Sequence, residues 1–281
     1  TRKEGAMSPY TSRKAHIDYV PLDELTRGYL EQAEKAWTKV CALPVETLET
    51  FGYEPDGRRS GVGFEVKTSG TSFDHKYDMH LTLKTIPDQL LQADKVDTTG
   101  TFFRFILLAQ CLLESTKEMI HAYAKSLGDP LLVEETMCLK ERWMLRFLWY
   151  PPGLPSGEVL AMPHADKGGF TLDLINGNGR FEYLESREPL VWREMEKHEH
   201  MLPVLAGIGL QELTKSETTA VAHRVIADTI SCKEGRVAAV IFVDYLTRKH
   251  FNKAVYGSQQ LQPLGWNYTC TPQEFSTFFV E

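Results

Sequence analysis

Residues 142–185 have the sequence RWMLRFLWYPPGLPSGEVLAMPHADKGGFTLDLINGNGRFEYLE. In this stretch, short segments rich in β-branched and aromatic residues alternate with turn-forming residues, such as Pro-Pro-Gly at 151–153 and Asn-Gly-Asn-Gly at 176–179. Apolar segments of this length, bounded by glycine, proline and asparagine, are typical of β-strands joined by turns. The stretch therefore predicts a run of antiparallel strands without helices between them.

The same pattern continues towards the C-terminus. Further strand-like segments are LPVLAGIG (202–209), TAVAHRVI (219–226) and RVAAVIFVDY (236–245). Short antiparallel strands in such numbers bury their apolar faces by packing as a two-sheet sandwich or barrel. We predict a mainly β fold whose core is a double-stranded β-helix, or jelly roll.

The first half of the chain carries helical patterns instead. Apolar residues recur at spacings of three and four over residues 22–42, and Asp23 can cap the start of this helix. Residues 99–127 are apolar on nearly all sides until Gly128-Asp129-Pro130 stops the pattern, which predicts a long buried helix. A shorter helix is expected over residues 132–140.

These patterns divide the chain near residue 140. We expect residues 1–140 to form a helical flank that packs on a jelly-roll core of residues 141–281, as one unit overall. Residues 52–82 are rich in Gly, Ser, Asp and Lys and are expected to form a loop with short strands. Because loops commonly carry specificity, residues 57–82 and 256–281 are candidates for a lid.

Composition and charge exclude several classes of function. In 281 residues, 42% are hydrophobic and the formal charge is −7 without a basic block, which argues against nucleic acid as the main partner. The five cysteines are scattered and form no Cys-x-x-Cys pair, which favours a reducing, cytoplasmic compartment over a disulfide framework. No apolar run reaches the roughly 20 residues that a membrane span needs.

A candidate metal site lies in the strand-rich half. His164 and Asp166 are two positions apart, so in an extended strand their side chains project from the same face. His223 lies in a later strand-like segment that can cross the same pocket. Two imidazoles and one carboxylate on one side of an octahedron leave three positions open, which suits an iron(II) ion that binds O2 and a co-substrate together.

The triplet alone is a weak signal, because His-x-Asp arises by chance and a lone strand histidine is usually a satisfied polar residue. Its surroundings are more specific. They are LRFLWYPP (145–152), HADKGGFTL (164–172), GIGLQELTKSETTAVAHRV (207–225) and RVAAVIFVDY (236–245). In this order they resemble the isopenicillin-N-synthase-like branch of the iron(II)- and 2-oxoglutarate-dependent oxygenases. The resemblance is good over the jelly-roll half and loose over the helical half.

Residue by residue, the resemblance implies that His164, Asp166 and His223 bind Fe(II). It also implies that Arg236 pairs with the distal carboxylate of 2-oxoglutarate, for which a planar guanidinium is well suited. Tyr150 would hydrogen-bond the same co-substrate. The implied activity is oxidation of a C–H bond in a small molecule, with hydroxylation favoured, coupled to decarboxylation of 2-oxoglutarate by O2. The substrate is not encoded in any motif, and neither is the oligomeric state.

Several positions depart from the family pattern. Ala238 stands where a serine usually follows the arginine, Leu148 replaces a common asparagine, and Asp173 stands where leucine is common. Because Ala238 and Leu148 remove polar groups from the co-substrate region, alternatives stay open. These are an iron oxidase that does not use 2-oxoglutarate, a metal-retaining jelly-roll binding protein, and a cupin-like isomerase or zinc hydrolase.

Other polar residues give weaker signals. Arg146 shares strand parity with Tyr150 and is a candidate contact for a substrate carboxylate. The segment His198-Glu199-His200 lies in a charged stretch and is expected at the surface. His75 and His80 lie in the loop-like region and are also expected at the surface.

Overall fold

The computed structural model describes residues 17–52, 54–55, 61–67, 75–166, 168–187, 189–214 and 218–244. Residues 256–281, one of the two candidate lids, lie outside the described residues. The first half of the described chain contains β1 (Ile17–Pro21), α1 (Glu24–Cys41), α2 (Val45–Glu49), β2 (Glu54–Pro55), β3 (Gly61–Lys67), β4 (Lys76–Leu81), α3 (Ile86–Val96), α4 (Thr101–Ser115), α5 (Lys117–Ser126) and α6 (Pro130–Cys138).

Strands dominate the second half, as the turn-bounded apolar segments predict. After a single 3-10 turn (Lys140–Arg142), the elements are β5 (Met144–Tyr150), β6 (Val159–His164), β7 (Phe170–Asn176), β8 (Arg180–Arg187), β9 (Leu190–Glu194), β10 (Met201–Ala206), α7 (Ile208–Leu213), β11 (His223–Ile226), α8 (Ser231–Glu234) and β12 (Arg236–Val243).

The strands form two antiparallel sheets. Within the described residues, the large sheet has eight strands in the order β1-β10-β7-β12-β5-β4-β3-β2, and the small sheet has four in the order β6-β11-β8-β9. Strands that are neighbours in sequence, such as β6 and β7, therefore lie in different sheets. This alternation between two sheets gives the predicted jelly-roll core.

The helices cover one face of the large sheet. Trp37 of α1 is fully buried there, with its ring 5.2 Å from that of Phe105 on α4 and 6.0 Å from that of Phe147 on β5. The opposite face of the large sheet looks towards the small sheet, where Leu148 and Ala238 belong to the same apolar cluster as Phe181. This second layer, between the two sheets, is the interior of the jelly roll.

The helical predictions are confirmed with one change. The helix α1 begins after Asp23, whose Oδ1 accepts a hydrogen bond from the Thr26 N–H at 2.9 Å, as expected of a cap. The single helix predicted over 99–127 is instead α4 and α5, which meet at Thr116. There the buried Thr116 hydroxyl donates to the Leu113 carbonyl at 3.0 Å, and such back-bonding is known to disturb a helix.

Residues 52–82 were predicted to form a loop with short strands, and the described part of this region contains the strands β2, β3 and β4. Strands β3 and β4 pair with each other, and β4 pairs with β5, so both are members of the large sheet. Residues 61–67 and 76–81 are therefore not a lid. The many glycine and charged residues hid the period-two pattern, since strand propensity depends on packing against neighbouring strands as well as on composition.

The helical flank is also not purely helical. Residues before 140 supply β1, β2, β3 and β4, half of the strands of the large sheet. The boundary at residue 140 stays a prediction. Within the described residues no helix has both the length and the apolar character needed to cross a membrane, and the thiols of Cys41, Cys111, Cys138 and Cys232 are free.

Candidate metal centre

The structure brings His164, Asp166 and His223 together. His164 ends β6 and His223 begins β11, and the two residues are directly paired across these antiparallel strands. Their imidazole centroids are 4.3 Å apart, and His164 Nε2 is 3.7 Å from Asp166 Oδ1. One donor atom from each of the three residues lies within 4.8 Å of the others.

Both imidazoles are held through the same ring nitrogen. His164 Nδ1 is 2.7 Å from the Met162 carbonyl oxygen, and His223 Nδ1 is 3.1 Å from the Val221 carbonyl oxygen. Because a carbonyl oxygen can only accept, Nδ1 is the donor in each ring and Nε2 keeps its lone pair. This is the arrangement that fixes the tautomer and the orientation of metal-binding histidines in proteins.

A hydroxyl group orients the carboxylate. Thr171, which is buried on β7, donates from Oγ1 to Asp166 Oδ2 at 2.5 Å. The bond occupies Oδ2, whereas Oδ1 is the oxygen that lies near His164. One carboxylate oxygen is thus engaged by the protein and the other remains available as a ligand atom.

The centre is buried on one side and open on the other. His223 is buried, whereas the side chain of His164 is 39% exposed. Desolvation and the neighbouring His223 ring lower the pKa of His164 to about 4. At neutral pH the ring is therefore uncharged, which is the state that a metal ligand requires.

The donor set fits a divalent transition-metal ion. Bonds of about 2.0 to 2.2 Å to one ion would place neighbouring ligand atoms roughly 3 to 3.5 Å apart, close to the spacing between His164 Nε2 and Asp166 Oδ1. Two imidazoles and one carboxylate form a facial set that leaves further positions open. A small movement of the side chains would complete the approach to a common ion.

Arg236 lies on the large sheet, directly opposite Tyr150 in the pairing of β12 with β5. Its side chain is buried, and Nη2 donates to Asn176 Oδ1 at 2.6 Å. Among the described residues, Arg236 Nε has no hydrogen-bond partner. A buried N–H without an acceptor is costly, and a bound carboxylate would supply the acceptor that is missing.

Asp173 is a second buried group in this region. Its Oδ2 has no hydrogen-bond partner among the described residues. Desolvation raises the pKa of Asp173 to about 7. The positive charge of Arg236 acts to lower this pKa, and the negative charge of Asp166 acts to raise it. Asp173 is therefore a carboxyl group that is poised to change its charge near neutral pH.

Arg146 and Tyr150 lie on the same strand at the same parity, and Arg146 forms an ion pair with the fully buried Asp78. Ala238 is opposite Leu148 on the same two strands, two positions along from Arg236 and Tyr150, and both side chains are buried and apolar. Two of the positions at which the sequence departs from the family pattern, Leu148 and Ala238, are thus neighbours beside Arg236.

A second group of potential metal ligands comprises Glu65, Asp78 and His80. The prediction that His80 is a surface residue was wrong, because β4 buries it opposite Arg146. Arg146 already brings a positive charge to Asp78, which weakens the case for a cation there. His198 and His200 are exposed, as predicted.

No family model and no curated protein matches this sequence. Solved structures do match. A protein of Caulobacter crescentus assigned to the 2OG-Fe(II) oxygenase family, where 2OG is 2-oxoglutarate, has a TM-score of 0.65 at 20% identity, over 94% of this chain and 88% of that one. The chain has the fold of the 2OG-Fe(II) oxygenases.

Two further structures with this oxygenase fold illustrate the likeness. A full-length protein from Neurospora crassa, in complex with alpha-KG and 5-formyluracil, has a TM-score of 0.64 at 15% identity, over 95% of this chain and 86% of that one. The dioxygenase for auxin oxidation 1 from Arabidopsis thaliana, in complex with 2-oxoglutarate, has a TM-score of 0.65 at 12% identity, over 88% of this chain and 90% of that one.

Sequence reasoning missed the residues that support this site. Asn176, which binds Arg236, lies in the Asn-Gly-Asn-Gly run that indicated only a turn. Thr171 lies in the motif HADKGGFTL, from which no role was predicted for it, although it follows Asp166 by only five residues. Such partners depend on how strands from different sheets are placed, and no local pattern encodes that.

Proposed function

We propose that this protein is an iron(II)- and 2-oxoglutarate-dependent oxygenase that oxidises a C–H bond of a small molecule, with hydroxylation as the favoured outcome. The observation that carries the proposal is the convergence of His164, Asp166 and His223, with both histidines fixed through Nδ1. When bound, iron(II) would supply the chemistry of O2 activation, at the positions that the protein leaves open.

The protein's own groups would prepare the site. The two Nε2 atoms and Asp166 Oδ1 would hold the metal, while the Met162 and Val221 carbonyls keep the rings from rotating. Thr171 would keep Oδ2 of Asp166 engaged, so that the carboxylate offers one oxygen. Fixing the ligands beforehand lowers the cost of ordering them when metal binds.

Arg236 would bind the distal carboxylate of 2-oxoglutarate. The Tyr150 ring lies 5.7 Å from the guanidinium carbon, and Arg236 Nε has no hydrogen-bond partner among the described residues. Both side chains are buried in the interior of the jelly roll, where water is largely excluded. Asn176 would hold the guanidinium in place from the other side. A charge-assisted hydrogen bond in such a site is stronger than one in water.

The substrate is proposed to be a small polar molecule. One structure of the same fold carries 5-formyluracil, a second carries JA, and a third belongs to an enzyme named for auxin oxidation. Arg146, in its ion pair with Asp78, remains our candidate for contact with an anionic group of the substrate.

An iron oxidase that does not use 2-oxoglutarate is the second candidate. The observation that favours it is the apolar pair Ala238 and Leu148 beside Arg236, which offers the co-substrate no hydroxyl and no amide. A metal-retaining binding protein would bind iron without consuming O2 in the presence of any substrate.

One experiment separates these functions. The purified protein is loaded with Fe(II) under anaerobic conditions, supplied with 2-oxoglutarate labelled in its 1-carboxylate, and exposed to O2 with a library of small molecules. The proposal predicts release of labelled CO2 and succinate, which His164→Ala abolishes. Consumption of O2 without labelled CO2 would favour the second candidate, and consumption of neither would favour the binding protein.

A further inference from the structure

A bulge in the large sheet turns two polar residues of β7 towards the interior of the jelly roll. Asp173 is paired with Val240 and Asn176 with Ala238, so positions three apart on β7 meet positions two apart on β12. Because side chains alternate along a strand, Val240 and Ala238 project from the same face of β12 as Arg236. Paired residues share a face, so Asp173 and Asn176 both lie on that side of the sheet.

The carboxyl group of Asp173 is buried without a partner for one of its oxygens. Asp173 is 4% exposed, and its Oδ2 has no hydrogen-bond partner in the part of the chain that the structure describes. Arg236 Nε, on the same face of the sheet, lacks a partner as well, so these two atoms do not satisfy each other. A molecule bound between them would supply both of the contacts that are missing.

Asp173 lies between the metal centre and Arg236. On β7, Thr171 is at the end that binds Asp166, and Asn176 is at the end that binds Arg236. The two charges that act most strongly on Asp173 are the guanidinium of Arg236 and the carboxylate of Asp166, one from either end of the strand. A molecule that extends from the metal centre to Arg236 would therefore pass along Asp173.

We propose that Asp173, in its protonated form, donates a hydrogen bond to the carboxylate of 2-oxoglutarate that Arg236 binds. This inference rests on the proposed function, since it concerns the same co-substrate. Arg236 would supply the positive charge and Asp173 a neutral donor, whereas the neighbouring side chains of Ala238 and Leu148 can donate no hydrogen bond. The inference gives a role to a residue at which the sequence departs from the family pattern.

The surroundings of Asp173 favour the neutral carboxyl group. The ionisable side chains around it come from β12, from the metal centre and from the segment before β10, and they include Arg236, Asp166, His164, His223 and Lys197. Desolvation raises the pKa of Asp173 to about 7, Asp166 acts in the same direction, and Arg236 and Lys197 act against it.

An arriving carboxylate would strengthen this preference. It brings a further negative charge beside Asp173, which raises the pKa of Asp173 again. The protonated group can donate to that carboxylate, and an O–H donor with a charged acceptor forms one of the stronger hydrogen bonds in proteins. Binding of 2-oxoglutarate is therefore expected to take up a proton at pH values above about 7.

The first test compares 2-oxoglutarate with 2-oxopentanoate, a 2-oxo acid of equal chain length that lacks the distal carboxylate. Anaerobic Fe(II)-loaded protein is titrated with each acid in a calorimeter at about pH 6. Asp173→Leu, which removes the donor, is expected to weaken 2-oxoglutarate binding about ten- to a hundredfold and to leave 2-oxopentanoate binding within about twofold. Asp173→Asn, whose amide group can donate, is expected to keep most of the affinity.

The second test is the pH dependence, which a residue that only shapes the pocket would not change. Between about pH 6 and about pH 8, wild type is expected to lose about tenfold in affinity for 2-oxoglutarate as Asp173 ionises, whereas both variants stay within about twofold. At about pH 8, titration in two buffers of different ionisation enthalpy should show uptake of about one proton by wild type and of none by the variants. Asp88→Asn, at an exposed residue of α3, is the control and should behave as wild type.

Each other outcome decides against the inference. An unchanged Kd for 2-oxoglutarate in Asp173→Leu at about pH 6 would overturn it and leave the proposed function standing. An equal loss for both acids would mean that Asp173 shapes the pocket and does not contact the distal carboxylate. Tighter binding by Asp173→Leu at both pH values would mean that Asp173 is ionised and only repels the co-substrate.

Two further results keep the inference separate from the proposed function and from folding. Wild-type protein that bound neither acid would overturn the proposed function itself. If Asp173→Leu does not fold, Asp173→Val, which also lacks a donor, decides by the same two comparisons.

Discussion

His164 and His223 are direct cross-strand partners in the small sheet, and the Nδ1 atom of each ring lies within hydrogen-bonding distance of the carbonyl two residues earlier. Two imidazoles are thereby aligned by backbone pairing before any ion arrives. Asp166 joins them only two residues after His164, because the chain leaves β6 there. The geometry of the site is thus a property of the sheet, and the metal would bind to ligands that are already in place.

Thr171 should tune metal affinity without being a ligand. Thr171→Val keeps the shape of the side chain but removes the hydrogen bond to Asp166 Oδ2. Because changes in groups that orient ligands typically cost roughly 10- to 100-fold in metal affinity, we expect a loss of about tenfold or more for Fe(II). Competition titration with a chelator measures it, and Thr171→Ser should restore most of the affinity. Equal affinity in the valine variant would show that the bond has no such role.

Arg236 should contribute strongly to co-substrate binding. Arg236→Gln removes a buried charge that would face a carboxylate, and such truncations cost about 2 kcal/mol or more, roughly thirtyfold in Kd. Anaerobic titration with 2-oxoglutarate measures the change. Arg193→Gln is the control, because Arg193 is an exposed arginine paired with Glu185 at the surface. If the two variants bound 2-oxoglutarate equally well, the role of Arg236 would be refuted.

Asp173 should make stability depend on pH. Its pKa is raised to about 7, mainly by desolvation, so the folded state keeps a proton that the unfolded state releases above about pH 4. The folded protein therefore loses stability as pH rises towards 7, on the order of 2 to 3 kcal/mol between about pH 5 and pH 8. Urea unfolding of metal-free wild type and Asp173→Asn at both pH values isolates this contribution. The variant should lack it, and identical pH dependence in both proteins would contradict the assignment.

Trp37 should be essential to the packing of helices on the large sheet. It is fully buried between Phe105 and Phe147, and truncation of such a residue typically costs about 3 to 5 kcal/mol. Trp37→Ala should lower the free energy of unfolding by this amount. Leu25→Ala, on the same helix but at a residue that is 63% exposed, should change it by less than about 0.5 kcal/mol. Similar losses in both variants would contradict the packing described for α1.

Sequence patterns predicted the parts of the fold that are locally encoded. The capped helix α1 and the strands from β5 to β12 follow from period and turn residues, apart from β9, for which no strand was predicted. The bounds of β3 and β4 were not predicted, because charged residues of β4 are buried in an interior that only the sheet pairing creates. Lys76, Asp78 and His80 gave a surface-like composition to a strand that is buried on both faces.

Some residues of the candidate site could likewise be predicted from the sequence and others could not. His164, Asp166 and His223 were found because spacing in a strand and an ordered set of motifs point to them. Asn176 was not, because it reaches Arg236 from another strand, at a register that only the assembled sheet defines. Local chemistry is visible in a sequence, whereas contacts between distant strands are not.

The measurement that tests the account most directly is metal binding by the histidine variants. Fe(II) is titrated anaerobically into wild type, His164→Ala, His223→Ala and the control His200→Ala, whose exposed imidazole lies near Arg27 on the surface. We predict one tight site in wild type and in the control, and loss of that site in both of the other variants, with folded protein in every case. Tight binding of one Fe(II) by either His164→Ala or His223→Ala would contradict the centre described here.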